Sequence, residues 1–286
     1  MKEFPETLYD AYRQSFDCDE VYFEYKTDHQ HLVVFHNPKF GRVMALDGVI
    51  QTTEKDEFVY HEMLTHVPIL AHGGVRSVLI IGGGDGGILR EVARHAAVQR
   101  IVMVEIDEAV VTTCKDVLPG HSAGAFDDSR LQLVIDDGAA YIASSQERFD
   151  VIIVDSTDPI GPGEVLFEQD FYRHCHAHLT QGGVLVTQNG VAFMQLDEAR
   201  NTAARFATVF NDWHFYASAV PTYIGGVMLM SFGTDDATLR RQSVAAITAR
   251  FNAARLATRY YTPEVHVGAF ALPRYVLQAV GKEIGA

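Results

Sequence analysis

Positive charge is scarce in this chain. Twenty-three lysines and arginines face 37 aspartates and glutamates, a formal net charge of −14 over 286 residues. Nucleic acid and anionic membrane, both bound by neutralising phosphate, are therefore not expected partners, whereas a cationic small molecule would be attracted. Acidity also serves solubility, so charge alone does not establish a cationic ligand. Cysteine is nearly absent: Cys18, Cys114 and Cys175 are odd in number and far apart, which leaves no disulfide framework and fits a reducing compartment. Long apolar runs are missing as well. None approaches the roughly 20 residues that cross a bilayer, and the acidic stretch Met1–Glu6 has no signal-peptide core. The expectation is a soluble cytoplasmic protein. With 48% hydrophobic residues and no low-complexity tract, the chain has material for a large core.

What it does have is an apolar run ending in glycines. Val78, Leu79, Ile80 and Ile81 lead into Gly82, Gly83, Gly84, Asp85, Gly86 and Gly87, and an amphipathic segment follows. Four consecutive apolar residues suit a strand buried on both faces, as in a parallel sheet. The spacing Gly82-x-Gly84-x-x-Gly87 fits a nucleotide-binding turn that brings backbone close to a ligand, and Glu105 falls about 20 residues on, where a ribose-binding acid is expected. Asp85 alters that reading. A carboxylate inside the loop repels a pyrophosphate, so the loop suits a nucleoside carrying a cation, such as an S-adenosyl sulfonium, better than NAD.

The rest of the chain supports a methyltransferase-like α/β fold. Residues 1–54 read as a small antiparallel β domain: Glu20–Thr27, His31–His36 and Arg42–Leu46 are rich in β-branched and aromatic residues, and Asp47-Gly48 is a hairpin signal. Thr53 with Asp56 resembles a capping pair opening a helix, which Pro68 is expected to end or kink. Residues 55–286 then read as a Rossmann-like domain. Strands at Val78–Gly82, Arg100–Glu105, Leu131–Asp136, Val151–Asp155 and Gly183–Gln188 alternate with helical stretches, the pattern of a doubly wound parallel sheet. Trp213–Val220 and Val227–Gly233 are separated by only six residues, too few for a crossover helix, so they must pair antiparallel. The expected sheet is seven-stranded, mostly parallel, and finishes in an antiparallel hairpin. Asp236–Arg255 and Leu272–Val280 look helical.

Acids follow the strand ends one after another: Asp85, then Glu105 and Asp107, then Asp136 and Asp137, then Asp155 and Asp158. Ligands of open α/β sheets bind beyond these ends. Any one Asp there serves as a helix N-cap, and for Asp107 that is the favoured reading. Together, without Lys or Arg in the same loops, they would repel one another unless a cation is bound. No His accompanies them at ligand spacing, so an organic cation is favoured over a metal. The loop Asp155–Glu164, with two prolines and two glycines, is of a type that covers a site. His61–His66 lacks the zincin spacing, because position 65 is Thr65. His174, His176 and His178 alternate faces of a helix and cannot share a metal.

Seven stretches in order, Met44–Glu54, Asp56–Met63, Val78–Glu91, Met103–Asp107, Asp136–Gly138, Asp155–Glu164 and Pro221–Tyr223, resemble the bacterial spermidine synthases of the polyamine aminopropyltransferase family. The resemblance runs from about Val21 to Tyr275. It implies transfer of an aminopropyl group from decarboxylated S-adenosylmethionine, a co-substrate and not a cofactor, to putrescine. It also implies that Gln30, Gly82, Gly84, Glu105, Asp137, Gly138 and Pro162 contact the nucleoside. By the same resemblance Tyr60, His61, Asp85, Asp158, Gln188 and Tyr223 line a diamine groove, Asp155 accepts the proton, and no metal takes part. A homodimer or homotetramer is implied. Against this stand a methyltransferase acting on a small amine, a non-catalytic polyamine-binding module and an NAD-dependent dehydrogenase.

Overall fold

The computed structural model describes residues 2–159 and 161–282. The N-terminal part holds two antiparallel sheets. One pairs β1 (Lys2–Pro5) with β2 (Ser15–Cys18). The other is a meander of β3 (Glu20–Lys26), β4 (His31–Asn37), β5 (Gly41–Leu46) and β6 (Val49–Thr53). Asp47 and Gly48 both have positive φ (49° and 83°), the turn whose twist matches a two-residue hairpin, so the signal in the sequence marks the β5–β6 connection. The pairing of β1 with β2 lies outside the strand assignments made from the sequence.

After α1 (Glu57–His72) the chain alternates. The order is β7 (Ser77–Gly82), α2 (Gly87–Ala93), β8 (Arg100–Glu105), α3 (Glu108–Val117), α4 (Pro119–Ser122), β9 (Leu131–Ile135), α5 (Gly138–Ser144) and β10 (Phe149–Asp155). It continues with α6 (Gln169–Ala177), β11 (Leu179–Val191), α7 (Leu196–Phe206), β12 (Asp212–Ser218) and β13 (Met228–Thr234), then α8 (Val244–Ala254), α9 (Pro263–Ala269) and α10 (Arg274–Ala279). The seven-stranded sheet has the order β12-β13-β11-β10-β7-β8-β9. Strands β11, β10, β7, β8 and β9 are parallel, while β13 runs antiparallel to both β11 and β12. This is the architecture expected.

Period-two alternation explains why both faces are buried. Val78 and Ile80 of β7 join one core with Met63, Leu64, Val67 and Ile88, and Leu79 and Ile81 join the other with Ile142, Phe171 and Phe206. Helices α1, α2 and α8 therefore cover one face, and α5, α6 and α7 the other. A further cluster joins Leu32, Val34, Met44 and Leu46 of the meander to Val110 and Cys114 of α3, which fixes the small domain against the strand ends.

Three local expectations are met only in part. Pro68 does not end α1, which continues to His72. An interior proline costs about 3 kcal/mol, but nearly every side chain of α1 is buried, and that packing outweighs one missing hydrogen bond. Thr53 and Asp56 do pair (2.6 Å), and the Thr53 hydroxyl accepts the Lys55 and Asp56 N–H groups (3.2 and 3.4 Å), but the turn they close precedes α1, and the other Asp56 oxygen takes the N–H and hydroxyl of Thr222. The helix expected over Asp236–Arg255 begins only at Val244, because Asp236 closes a turn on the N–H and hydroxyl of Thr238. Among the described residues no helix is long and apolar enough to cross a membrane.

Candidate active site

The carboxyl ends of β7, β8 and β10 open into a cavity of about 360 Å³, roofed by residues of the N-terminal part. The glycine loop makes its floor. Gly82 has φ +82°, and a Cβ there would run into the carbonyl of Asp155, so β7 and β10 approach as closely as only glycine allows. The Gly84 N–H donates to Glu105 Oε2 at 3.1 Å, an approach that any side chain at position 84 would block.

Glu105 is buried, and its other oxygen accepts the Asp107 N–H at 3.0 Å. Burial pushes its pKa up to about 7, against the pull of the two N–H donors. Asp107 does not line the cavity. It caps α3 through the Ala109 N–H (3.0 Å) and takes the Thr27 hydroxyl (2.8 Å) and the Gln30 amide (3.1 Å), so Gln30 is drawn to the cavity wall from the small domain. Asp137 caps α5 with one oxygen on the Ala139 and Ala140 N–H groups, and it lines the cavity beside Gly138. Asp136 is exposed and outside the lining. Pro162 falls in the 3-10 helix Gly161–Phe167, and its side chain lies outside the described residues.

The second half of the cavity carries Asp155 and Asp158, both in its lining. Tyr60 donates its hydroxyl to Asp155 Oδ1 at 2.7 Å. Burial, reinforced by the negative charge of Asp85, raises the Asp155 pKa to about 6 even though His61 and Tyr60 oppose it. Asp158 is likewise pushed up by burial, with the Gln195 amide at 3.0 Å opposing. Tyr223 meets the ring of Tyr60 edge-on (centroids 5.9 Å, 72°) and donates to the Gln51 carbonyl at 2.7 Å.

Two residues of this half have partners that the sequence does not announce. Asp85 is not a free carboxylate: Oδ1 takes the Gly87 N–H at 2.8 Å and Oδ2 meets His61 Nε2 at 3.2 Å. Burial alone would raise its pKa, yet the charge of His61 holds it well below the usual carboxylate range. Counter-charge absent from the acid-bearing loops thus arrives from α1. Gln188 lines the wall, but its amide ends serve the backbone, donating to the Thr157 carbonyl (3.1 Å) and accepting the Gly190 N–H (2.9 Å). It shapes the loop that carries Asp155 and Asp158.

Several lining residues escape the sequence reading. Glu6 and Tyr9 close the far end: Tyr9 donates to Gln195 Oε1 at 2.9 Å, and Gln195 Nε2 reaches both Asp158 and Glu198. Partial burial, reinforced by the negative charge of Asp158, pushes the Glu198 carboxyl up to about 8. No motif marks Glu6, Tyr9 or Gln195. Glu57, which bonds His61, was legible through its i, i+4 spacing.

Comparison with known proteins matches residues 57–243 to a spermine/spermidine synthase domain and residues 4–54 to a spermidine synthase tetramerisation domain. The chain is 63% identical over 283 residues to polyamine aminopropyltransferase 1 of Pseudomonas aeruginosa, covering 99% of each. It is 54% identical over 275 residues to the polyamine aminopropyltransferase of Erwinia tasmaniensis, covering 96% of each. Among solved structures, a spermidine synthase in complex with the transition-state analogue AdoDATO superposes with a TM-score of 0.92 at 36% identity, over 98% of this chain and 95% of that one. Spermidine synthase from Thermotoga maritima gives 0.92 at 35% identity, over 98% and 94%.

Proposed function

The chain belongs to the spermine/spermidine synthase family and is an aminopropyl-transferring enzyme of polyamine biosynthesis, and from that premise we propose that its donor is decarboxylated S-adenosylmethionine and its acceptor putrescine. The products are spermidine and methylthioadenosine. The observation that carries this reading is the acidic cavity itself, with Glu105 in one half and Asp155 and Asp158 in the other.

The nucleoside takes the Glu105 half. Its ribose hydroxyls donate to Glu105, and Gln30, Asp137 and Gly138 border the base, with the backbone of Gly82 and Gly84 beneath. Pro162 belongs to this set through the family resemblance alone. The diamine takes the other half, its methylene stem lying along the adjoining rings of Tyr60 and Tyr223 and its far ammonium at Asp158. The near amine attacks the methylene carbon bonded to the sulfonium. As the new C–N bond forms the C–S bond breaks, and the sulfur leaves as a neutral thioether with the bonding pair. Neither Lewis acid nor redox cofactor is required by that step.

The nucleophile must lose a proton. An alkylamine with a pKa of about 10 is mostly ammonium at neutral pH, and the neighbouring sulfonium lowers that value. Asp155 accepts the proton. Its pKa of about 6 makes it a better base than an ordinary carboxylate while leaving it ionised at neutral pH. Holding both substrates in line supplies much of the rate.

The same reading makes the enzyme a cytoplasmic homodimer or homotetramer. The tetramerisation-domain match supports assembly through residues 4–54, and edge strand β3 exposes Val21, Tyr22 and Tyr25. The test of the reaction is mass spectrometry of purified protein with decarboxylated S-adenosylmethionine and a panel of diamines. Spermidine together with methylthioadenosine is expected from putrescine. Methylation of the acceptor by S-adenosylmethionine, or binding without turnover, would overturn it.

A further inference from the structure

Four charges of alternating sign stand in a row behind the acceptor half of the cavity. Arg90 Nη2 donates to Glu57 Oε2 at 2.7 Å, the same oxygen meets His61 Nδ1 at 2.6 Å, and His61 Nε2 meets Asp85 Oδ2 at 3.2 Å. Only the last two reach the cavity wall. Glu57, His61 and Asp85 are 8%, 3% and 7% exposed, so each charge depends on its neighbours in a poorly solvated setting. A carboxylate on each ring nitrogen leaves both nitrogens as donors, which only the imidazolium can be.

The ring lies against the glycine loop. A Cβ at Gly87 would strike it, and the Arg90 guanidinium is itself held by Glu91 (2.8 Å) and by the carbonyls of Gly120 (3.1 Å) and His121 (2.6 Å). The other titratable groups that face His61 are Tyr60, His121 and Asp155. The His121 ring stands 6.1 Å away with Nε2 on the Thr52 hydroxyl, and Asp155 acts from across the cavity.

We propose that Glu57, braced by Arg90, is a positioning residue for the aminopropyl acceptor: it keeps His61 as an imidazolium, and His61 keeps Asp85 aimed at the acceptor amine in a compensated ion pair. The proposal rests on the diamine reading above. Its consequence is chemical. A bare buried carboxylate would hold the amine as ammonium, the unreactive form, whereas a carboxylate paired with an imidazolium orients the amine without fixing its proton. The pair thus serves attack as well as binding.

Two measurements test this. Nitrogen-15 NMR of the histidine rings in the intact enzyme is expected to show both His61 nitrogens still protonated well above the ordinary histidine range, whereas titration near the ordinary value of about 6.5 would overturn the proposal. In Glu57→Gln the hydrogen bond is retained and the charge lost. The acceptor KM is expected to rise about tenfold over the parent at about pH 8, and the ratio to shrink towards one at about pH 6, where His61 regains its proton. The donor KM stays unchanged. An equal loss at both pH values, or an unchanged acceptor KM at the higher one, contradicts the proposal. Should the variant not fold, the titration of the unmodified enzyme decides alone. That titration uses no substrate, so a failure of the diamine reading, seen as absence of spermidine, is recognised separately.

Discussion

Tyr60 on α1 and Asp155 at the end of β10 are 95 positions apart in the chain, and the tyrosine hydroxyl donates to the aspartate at 2.7 Å. The bond favours the carboxylate over the acid, so it restrains the rise in pKa that burial imposes on Asp155. Removing it in Tyr60→Phe leaves the ring and raises the Asp155 pKa further above 6. The acid limb of turnover then moves to higher pH, and the loss is greater at low pH than at high. A pH–rate profile of the variant checks this. An unshifted limb would separate Tyr60 from the protonation of Asp155.

Asp155→Asn removes the proposed proton acceptor while preserving shape. Turnover is expected to fall by at least about a hundredfold, the usual scale for a lost general base. Methylthioadenosine binding, measured by calorimetry, should persist. Near-normal turnover would take Asp155 out of the mechanism.

Asp158 lies in the same wall, three residues further on. Asp158→Asn is expected to raise the KM for the diamine about tenfold, the scale of about 1.4 kcal/mol for one charged contact, and to leave the donor KM in place. Movement of the donor KM alone would reassign the two halves of the cavity.

Glu105 gives a pH dependence of binding. Its carboxyl is raised to about 7, and ribose hydroxyls donate best to the ionised form. Nucleoside affinity is therefore expected to be full above that value and to decline as pH falls through it, by up to about tenfold per unit. Calorimetric titration of methylthioadenosine from high to low pH should show this slope in the parent and none in Glu105→Gln. A flat parent profile would mean that Glu105 stays ionised throughout or does not meet the nucleoside.

The sheet was legible because burial on both faces writes itself as apolar runs, as in Val78–Ile81, and because the six residues after Val220 forbid a crossover. The strand-end acids were legible too, with Asp107 correctly read as a cap. The connections between them were not. The pairing of β1 with β2 rests on two four-residue strands with few buried side chains, so no periodicity announces it, and Glu6 and Tyr9 reach the cavity only through it. The compensation of Asp85 by His61 joins α1 to the glycine loop across the core, a tertiary contact that local charge counting in the loops does not include. Helix α9, at seven residues, is too short for a periodic pattern to show, although Thr262 supplies a cap and Pro263 a first-turn proline.

The central claim is that one acidic cavity holds a nucleoside and a diamine side by side. A crystal structure of the enzyme with methylthioadenosine and putrescine together tests it most directly. The account predicts ribose hydroxyls on Glu105, one putrescine nitrogen within hydrogen-bonding distance of Asp155, and the other nitrogen beside Asp158. Density for the nucleoside away from Glu105, or for putrescine away from the Tyr60 and Tyr223 rings, would contradict it.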